Sequence, residues 1–112
     1  AATGQADEAL ALLDKVSEIN PFNEKTYLLK GELLSEQKEM EKAIDVYTEA
    51  IELMPQNAKF YQARGRIKLV QGDKDGSVED MKKAIELNPE NEKQINGNFD
   101  NFNKGTNNVG IY

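Results

Sequence analysis

Paired acidic side chains are the residues of this chain whose type and spacing could support acid–base catalysis. Three such pairs occur: Asp7 with Glu8, Asp73 with Asp75, and Glu79 with Asp80. A glycosidase needs two carboxyl groups about 5–10 Å apart across a cleft, with the pKa of one raised by burial. We instead expect these pairs at helix starts, where negative charge is favoured by the helix dipole. The pattern therefore predicts no enzyme and no catalytic residues.

Other chemistry is restricted by the residue types that the chain lacks. Its 112 residues include no His and no Cys. The commonest general base near neutral pH, the commonest transition-metal ligand and the thiol nucleophile are therefore missing. The stretch from Asp73 to Gly76 resembles the start of a calcium loop, but Ala84 stands where that loop needs its closing Glu. We predict no metal site and no cofactor.

Composition and charge narrow the class of partner. Charged residues make up 30% of the chain and hydrophobic residues 38%, with a net charge of −6. This mixture is typical of one soluble helical domain, and an acidic chain without a basic stripe is a poor nucleic-acid binder. No apolar run is long enough to insert into a membrane, and no secretory signal is visible, so the compartment stays unknown. Because the sequence begins with Ala1 and not Met, we expect a processed protein or a piece of a longer one.

A period of 34 residues runs through the sequence. Pro21, Pro55 and Pro89 keep this interval. Further sets of residues share the interval and a side-chain type: Asn23, Asn57 and Asn91; Glu18, Glu52 and Glu86; Leu13, Tyr47 and Met81. A fixed period of this length indicates a protein built from one supersecondary unit repeated in series.

Each unit contains two predicted helices. Apolar residues recur at three- and four-residue steps over residues 24–37 and again over residues 41–53. Asn23 and Asn57 each follow a Pro by two positions and are predicted to cap the helices that come next. Gly72 is expected to end a helix in the left-handed conformation. The unit is therefore a helical hairpin.

Two glycines lie inside the predicted helices. Gly31 and Gly65 occupy equivalent positions, although Gly in a helix costs about 1 kcal/mol relative to Ala. A close approach of the two helices of one hairpin would explain them. We expect the small residues Ala43 and Ser77 to face the two glycines across that gap.

The first complete unit carries an aromatic residue, a glycine four positions later, and then alanine, aromatic, alanine and proline: Tyr27, Gly31, Ala43, Tyr47, Ala50 and Pro55. In period and pattern it resembles the tetratricopeptide repeat. The next unit keeps the period but has Ser77 and Met81 where the family usually has an alanine and an aromatic residue. The resemblance implies an all-α fold, a right-handed superhelix of stacked antiparallel helical hairpins.

The resemblance also implies a domain organisation. Residues 1–91 would form the tetratricopeptide-repeat domain, in which 1–23 provide the second helix of a partial repeat. Two full repeats would follow, over 24–57 and 58–91. Residues 92–112 are predicted to be a C-terminal capping helix or tail, or the start of a further segment.

Family geometry implies a concave groove lined by the first helix of each repeat. The positions expected to face it are Lys25, Leu28, Leu29, Glu32, Glu36, Lys59, Gln62, Ala63, Arg66 and Val70. Leu28 and Leu29 would supply apolar contact, and Lys25, Lys59 and Arg66 would attract a carboxylate. The alternative is that these charged residues form only a solvated face. The clamp by which some relatives hold a chaperone carboxylate is disfavoured, because Leu29 and Ala63 replace its asparagines.

The predicted function is a non-enzymatic protein–protein interaction module that binds a peptide or partner protein in this groove. The alternative is a structural or self-assembly segment of a larger repeat protein. The N-terminal helix favours that alternative, because it is apolar on more than one side and lacks a hairpin mate. We expect either that the chain is a fragment or that a second copy covers this face, which would make a homo-oligomer. The apolar residues concerned are Leu10, Leu12, Leu13, Val16 and Ile19.

Overall fold

Five α-helices follow one another along residues 2–91, the part of the chain that this computed structural model describes. They are α1 (Ala2–Ile19), α2 (Glu24–Glu36), α3 (Met40–Leu53), α4 (Ala58–Val70) and α5 (Lys74–Leu87), followed by a short 3₁₀ turn at Pro89–Asn91. Helices α2 and α3 form one hairpin, α4 and α5 form the next, and α1 packs against α2. This is the all-α superhelix of stacked hairpins that the sequence predicts. The predicted C-terminal capping helix or tail at 92–112 lies outside the described residues.

Polar caps set the helix starts as predicted. The side-chain oxygens of Asn23 and Asn57 accept hydrogen bonds from the amides of Lys25 and Lys59, at 3.1 and 3.0 Å. Each bond satisfies a first-turn amide that has no partner within its helix. Asn23 and Asn57 therefore begin the first helix of each hairpin at the same point of the repeat.

Two residues adopt left-handed backbone conformations between the helices of a hairpin. Gly72 has φ of 89°, as expected of a glycine that ends a helix. Lys38 occupies the equivalent place in the first hairpin with φ of 67°. A side chain in this region costs about 1 kcal/mol or more, so the repeat geometry is imposed there against local preference.

Aromatic rings join the two hairpins. Tyr27 of α2 and Phe60 of α4 are 1% and 0% exposed, and their ring centroids lie 6.0 Å apart with an edge-to-face angle of 81°. This arrangement is favourable for aromatic pairs. Because α2 and α4 belong to successive repeats, the contact holds neighbouring units in series.

The hydroxyl groups of the buried and half-buried tyrosines donate hydrogen bonds to backbone carbonyls. Tyr27 donates to the carbonyl of Pro21 at 2.8 Å, and Tyr61 donates to the carbonyl of Pro55 at 3.2 Å. The repeated Pro and Tyr are thus two ends of one contact. It ties each first helix to the loop that precedes it.

The closest approach to Gly31 is made by a larger side chain than Ala43. The three atoms nearest to a Cβ atom built on Gly31 all belong to the ring tip of Tyr47, which that Cβ would overlap. A Cβ on Gly65 would lie 3.2–3.3 Å from atoms of Ser77, Asp80 and Met81. The close approach is real, but the second helix fills it with the side chain one turn further along. Tyr47 is bulky, and only a glycine leaves room for it.

Two of the three acidic pairs differ from expectation: Asp7 with Glu8 lies inside α1, and Glu79 with Asp80 lies in the middle of α5, so neither pair is at a helix start. Asp80 is 4% exposed. Its carboxylate accepts two hydrogen bonds from Arg64, at 2.7 and 2.8 Å, and lies 3.2 Å from the ammonium of Lys68. The bond to Asp80 raises the pKa of the Arg64 guanidinium. Two cations therefore compensate one buried carboxylate.

The first hairpin has no buried carboxylate at the position that corresponds to Asp80. Leu34 and Val46 occupy the positions equivalent to Lys68 and Asp80. Lys30, the equivalent of Arg64, instead pairs with Asp14 of α1 at 2.7 Å. The two repeats thus share a backbone arrangement but not the chemistry between their helices.

Candidate functional site

An open groove of about 420 Å³ runs between α2 and α4. Helix α2 provides one wall, α4 provides the other, and α3 contributes to the floor. The lining residues are Leu28, Glu32 and Ser35 from α2, Met40 and Tyr47 from α3, and Ala63, Arg66, Ile67 and Val70 from α4. The α2 and α4 residues recur at three- and four-residue steps, which places them on one face of each helix. Most of the lining is apolar, and its two charged members stand on opposite walls.

Five of the ten predicted groove residues line this space, namely Leu28, Glu32, Ala63, Arg66 and Val70. Lys25, Leu29 and Glu36 are exposed on α2 outside it. Ser35, Met40, Tyr47 and Ile67 line the groove without having been predicted. Tyr47 and Ile67 are both buried and open to the groove. The binding role of every one of these residues stays a prediction.

Gln62 is not among the groove-lining residues. It is 6% exposed, and its side-chain nitrogen has no hydrogen-bond partner within the described part of the chain. Its equivalent in the first repeat is Leu28. The fifth repeat position therefore faces the groove in one repeat and is enclosed in the other.

The floor of the groove includes the side chain of Tyr47, which is uncharged at neutral pH. Tyr47 is 4% exposed, and its hydroxyl donates to the carbonyl of Leu28 at 3.4 Å. Burial raises the pKa of Tyr47 to about 12; the charge of Glu32 raises it further, and that of Arg66 lowers it. Both groove charges therefore act on the same ring from opposite sides. At neutral pH the groove offers an apolar floor between one anion and one cation.

Arg66 differs from the other cations of α4. Within the described residues, Lys59 pairs with Glu24, and Arg64 and Lys68 pair with Asp80. The ion pairs found there include neither Arg66 nor Glu32, and Arg66 is exposed. These two side chains keep their charge available to a ligand.

Lys59 lies in a different place from the groove. Its ammonium is 3.2 Å from the carboxylate of Glu24, whose other oxygen accepts a 2.6 Å hydrogen bond from the side-chain amide of Asn57. The Asn57 bond, with help from Lys59, lowers the pKa of Glu24 below its usual value. Glu24 thus links the start of α2 to the start of α4.

Acid should weaken this link. Because the folded-state pKa of Glu24 is lowered, its stabilising contribution is present above the unfolded pKa and is lost as the pH falls through the folded value. We expect Glu24→Gln to reduce the free energy of unfolding by up to about 1 kcal/mol at pH 7, since the pair is partly exposed. At pH 2.5 the difference from wild type should shrink. Urea unfolding at both pH values measures this, and an equal difference at the two would contradict it.

Residues 2–91 form neither a cluster of metal ligands nor a membrane-spanning helix. No three acidic side chains there come together in a group that could hold a metal ion. None of the helices combines the length and the apolar character needed to cross a membrane. What the groove offers chemically is shape, apolar contact and one charge of each sign.

Stacked hairpins with an open inner groove define a helical-repeat protein, a class whose units present extended binding surfaces. The family comparison agrees with the geometry. Models of the tetratricopeptide repeat match residues 1–67 and residues 58–91. The chain belongs to the tetratricopeptide repeat family. Repeats of this family typically form protein-interaction or scaffold modules and are typically non-enzymatic.

Solved structures of MamA are similar to this chain. MamA from MSR-1 is 29% identical with a TM-score of 0.67, and MamA from AMB-1 is 30% identical with a TM-score of 0.65. A MamA structure from Desulfovibrio magneticus RS-1 is 27% identical with a TM-score of 0.59. These matches cover 78–80% of this chain but only 50–51% of each MamA chain. The chain thus spans about half the length of the structures it resembles. None of the curated proteins matches its sequence.

Proposed function

We propose that this domain binds a peptide segment of a partner protein in the groove between α2 and α4. The observation that carries the proposal is a preformed, mostly apolar groove. Its two charged lining residues, Glu32 and Arg66, are not among the ion pairs of the described residues. The floor is fixed by the buried ring of Tyr47, so a ligand meets a surface that is already ordered. Preorganisation of this kind lowers the entropic cost of binding.

The wall residues support binding through exposed apolar surface. Val70 on the α4 wall is 65% exposed, and Leu28 on the α2 wall is partly exposed. Exposed apolar side chains next to a concave surface gain free energy when a ligand covers them. The groove therefore offers both a pocket for a side chain and an apolar margin.

The second candidate is self-assembly through α1, and one observation favours it. Leu12, Val16 and Ile19 on α1 are 63%, 38% and 85% exposed, and Phe22 just after the helix is 62% exposed. Leu12, Val16 and Ile19 lie three or four residues apart, so they share one face of α1, and Phe22 lies in the turn that follows the helix. A contiguous exposed apolar surface often marks an interface.

Selection of displayed random dodecapeptides on the domain, followed by fluorescence anisotropy with a selected synthetic peptide, tests the proposal. Val70→Asp places a charge in the groove and should weaken binding at least ten-fold, because the charge must be desolvated against the ligand. Leu12→Asp is the matched control. It alters a side chain of nearly equal exposure, 63% against 65%, on α1.

The two variants separate the candidates. If the groove binds, Leu12→Asp should leave peptide affinity within two-fold of wild type, while thermal melts show both variants folded. Selection that yields no binder, or binding that is lost with Leu12→Asp and kept with Val70→Asp, would refute the groove. Concentration-dependent sedimentation abolished by Leu12→Asp would instead support assembly through α1.

A further inference from the structure

One face of α1 is exposed at positions that the two complete hairpins bury. Val16 is 38% exposed, whereas its equivalents Ala50 and Ala84 are both 0% exposed. Leu12 is 63% exposed, whereas its equivalent on α5, Asp80, is 4% exposed. The 34-residue repeat therefore gives α1 a face of the kind that α3 and α5 keep away from solvent.

In each complete hairpin, this face lies against the helix that comes before it in the chain. The hydroxyl of Tyr47 on α3 donates to the carbonyl of Leu28 on α2. On α5, Asp80 pairs with Arg64 and Lys68 of α4. Among the described helices, α1 packs chiefly against α2, which follows it. The described residues thus leave open, on α1, the place that α2 takes on α3 and that α4 takes on α5.

Helix α1 is held in position by contacts on another side. Leu10 packs against the core cluster of the first hairpin, and Asp14 pairs with Lys30 of α2 at 2.7 Å. Leu10 and Asp14 are four residues apart and share a face that is not the face of Leu12 and Val16. The open face is therefore presented by a helix that is already packed, which lowers the entropic cost of docking.

We infer that the open face of α1 binds an amphipathic helix of a partner protein, in the place that a first helix takes in the complete hairpins. The bound helix carries a small residue and, three positions later, an aliphatic residue. This surface is separate from the proposed groove. A second copy does not offer such a helix, because its α2 and α4 are enclosed through Tyr27 and Phe60, which are 1% and 0% exposed.

The small residue follows from the close approach within each complete hairpin. A Cβ atom on Gly31 would overlap the ring of Tyr47, and one on Gly65 would lie 3.2 Å from the end of Met81. On α1 the equivalent of Tyr47 and Met81 is Leu13, which is half-buried. A helix that packs on Leu13 in the same way needs a small side chain at the crossing point, because overpacking at such a site is unfavourable.

The aliphatic residue follows from the side chain that it would meet on α1. Three positions after the two glycines stand Leu34 in α2 and Lys68 in α4. Lys68 meets the carboxylate of Asp80, whereas Leu34 belongs to the apolar cluster against which Val46 packs. The equivalent of Asp80 and Val46 on α1 is Leu12, which is apolar. The open face therefore fits a helix like α2, because a lysine would be desolvated there without a carboxylate to pair with.

Two synthetic helices that differ at one position test the inference. The leucine peptide has the sequence of residues 20–38 with Glu36→Lys, and a lactam bridge from position 36 to Glu32 keeps it helical. The bridge lies on the side of the helix away from Gly31 and Leu34. The lysine peptide differs from it by Leu34→Lys alone, which gives it the chemistry of α4. Amide shifts of the isotopically labelled domain during titration report both the affinity and the place of binding.

The wild-type domain should bind the leucine peptide at least ten-fold more tightly than the lysine peptide, because an unpaired charge replaces an apolar contact. The shifts should be largest along α1. The domain variant Leu12→Asp should reverse the preference, since it offers the lysine peptide the carboxylate that Asp80 offers to Lys68. Val70→Asp is the control on the groove, and it should leave the affinity for the leucine peptide within about two-fold of wild type.

Several results would overturn the inference. They are equal affinity of the wild-type domain for the two peptides, an unchanged preference in Leu12→Asp, or a dissociation constant of the leucine peptide weaker than about 1 mM. Shifts spread over α3 and α4 would mean that the peptide has replaced α2. Loss of binding in Val70→Asp would place the helix in the groove. Dimers of the domain that Leu12→Asp dissociates, with no leucine peptide bound, would assign the face to a second copy.

Discussion

Replacing Asp80 with Val should destabilise the domain by about 3 kcal/mol. Removing one partner of a buried ion pair typically costs about 3–5 kcal/mol, because the remaining charge stays desolvated without compensation. The lower end applies here, since the side chains of Arg64 and Lys68 are 17% and 21% exposed and can recover some hydration. The free energy of unfolding from guanidinium titration, followed by helical circular dichroism, gives the value.

The first repeat supplies the control for this experiment, because it lacks the buried carboxylate. Val46 and Leu34 stand in place of Asp80 and Lys68, and the remaining cation pairs with a carboxylate on the preceding helix. The triple variant Asp80→Val/Lys68→Leu/Thr48→Asp copies that arrangement around Arg64, which already donates to Thr48 at 3.1 Å. It should recover more than half of the loss. A single Asp80→Val variant as stable as wild type would show that the buried charges contribute nothing.

Gly31→Ala should reduce the free energy of unfolding by about 2 kcal/mol, although helix propensity alone predicts a gain of about 1 kcal/mol. The added methyl group would overlap the ring tip of Tyr47, a side chain that is 4% exposed and hydrogen-bonded to α2. Overpacking a filled core site typically costs about 1–3 kcal/mol. The cost exceeds the gain because the ring could relieve the overlap only by shifting within its packing and giving up its hydrogen bond to the carbonyl of Leu28.

Gly4→Ala is the matched control, because it should not lower the free energy of unfolding. Gly4 also lies in a helix, but a Cβ atom there would meet nothing within 4 Å. Gly4→Ala should therefore leave stability unchanged or raise it slightly. In a Tyr47→Leu background the cost of Gly31→Ala should largely disappear, since the two residues are coupled. Equal effects of Gly4→Ala and Gly31→Ala would contradict the close approach.

The architecture was predictable because it depends on rules that are local and repeated. Pro21 and Pro55 interrupt the chain at a fixed interval, and Asn23 and Asn57 cap the helices that follow. Local signals of this kind need no knowledge of the rest of the fold. Repetition then makes each hairpin pack on the next, which sets the series of helices.

Side-chain partners across the repeat were not predictable in the same way. From the sequence, Asp80 resembles the acidic residues that are found at helix starts. Its burial depends on contacts with Arg64 and Lys68 of α4, which the sequence of α5 does not reveal. Lys38 gives no sequence signal for a left-handed conformation, because that conformation is imposed by the hairpin geometry it shares with Gly72. These features depend on which helices meet, and the sequence shows that only indirectly.

The predicted groove positions do not all lie in one place, for a related reason. They include Leu28 and Arg66, which line the groove, and also Gln62, which is enclosed. The fifth position of the second repeat meets surroundings different from those of the first. Positional rules assume that every unit has the same neighbours, and in a short stack they do not.

The most direct test of groove binding is to locate a bound peptide on the domain. The amides of the isotopically labelled protein would be assigned and titrated with a dodecapeptide obtained by selection, and the shift changes would be mapped by residue. Binding in the groove predicts the largest changes at Leu28, Glu32, Ala63 and Arg66, and little change along α1. Changes concentrated along α1, with those four amides unmoved at saturation, would contradict it.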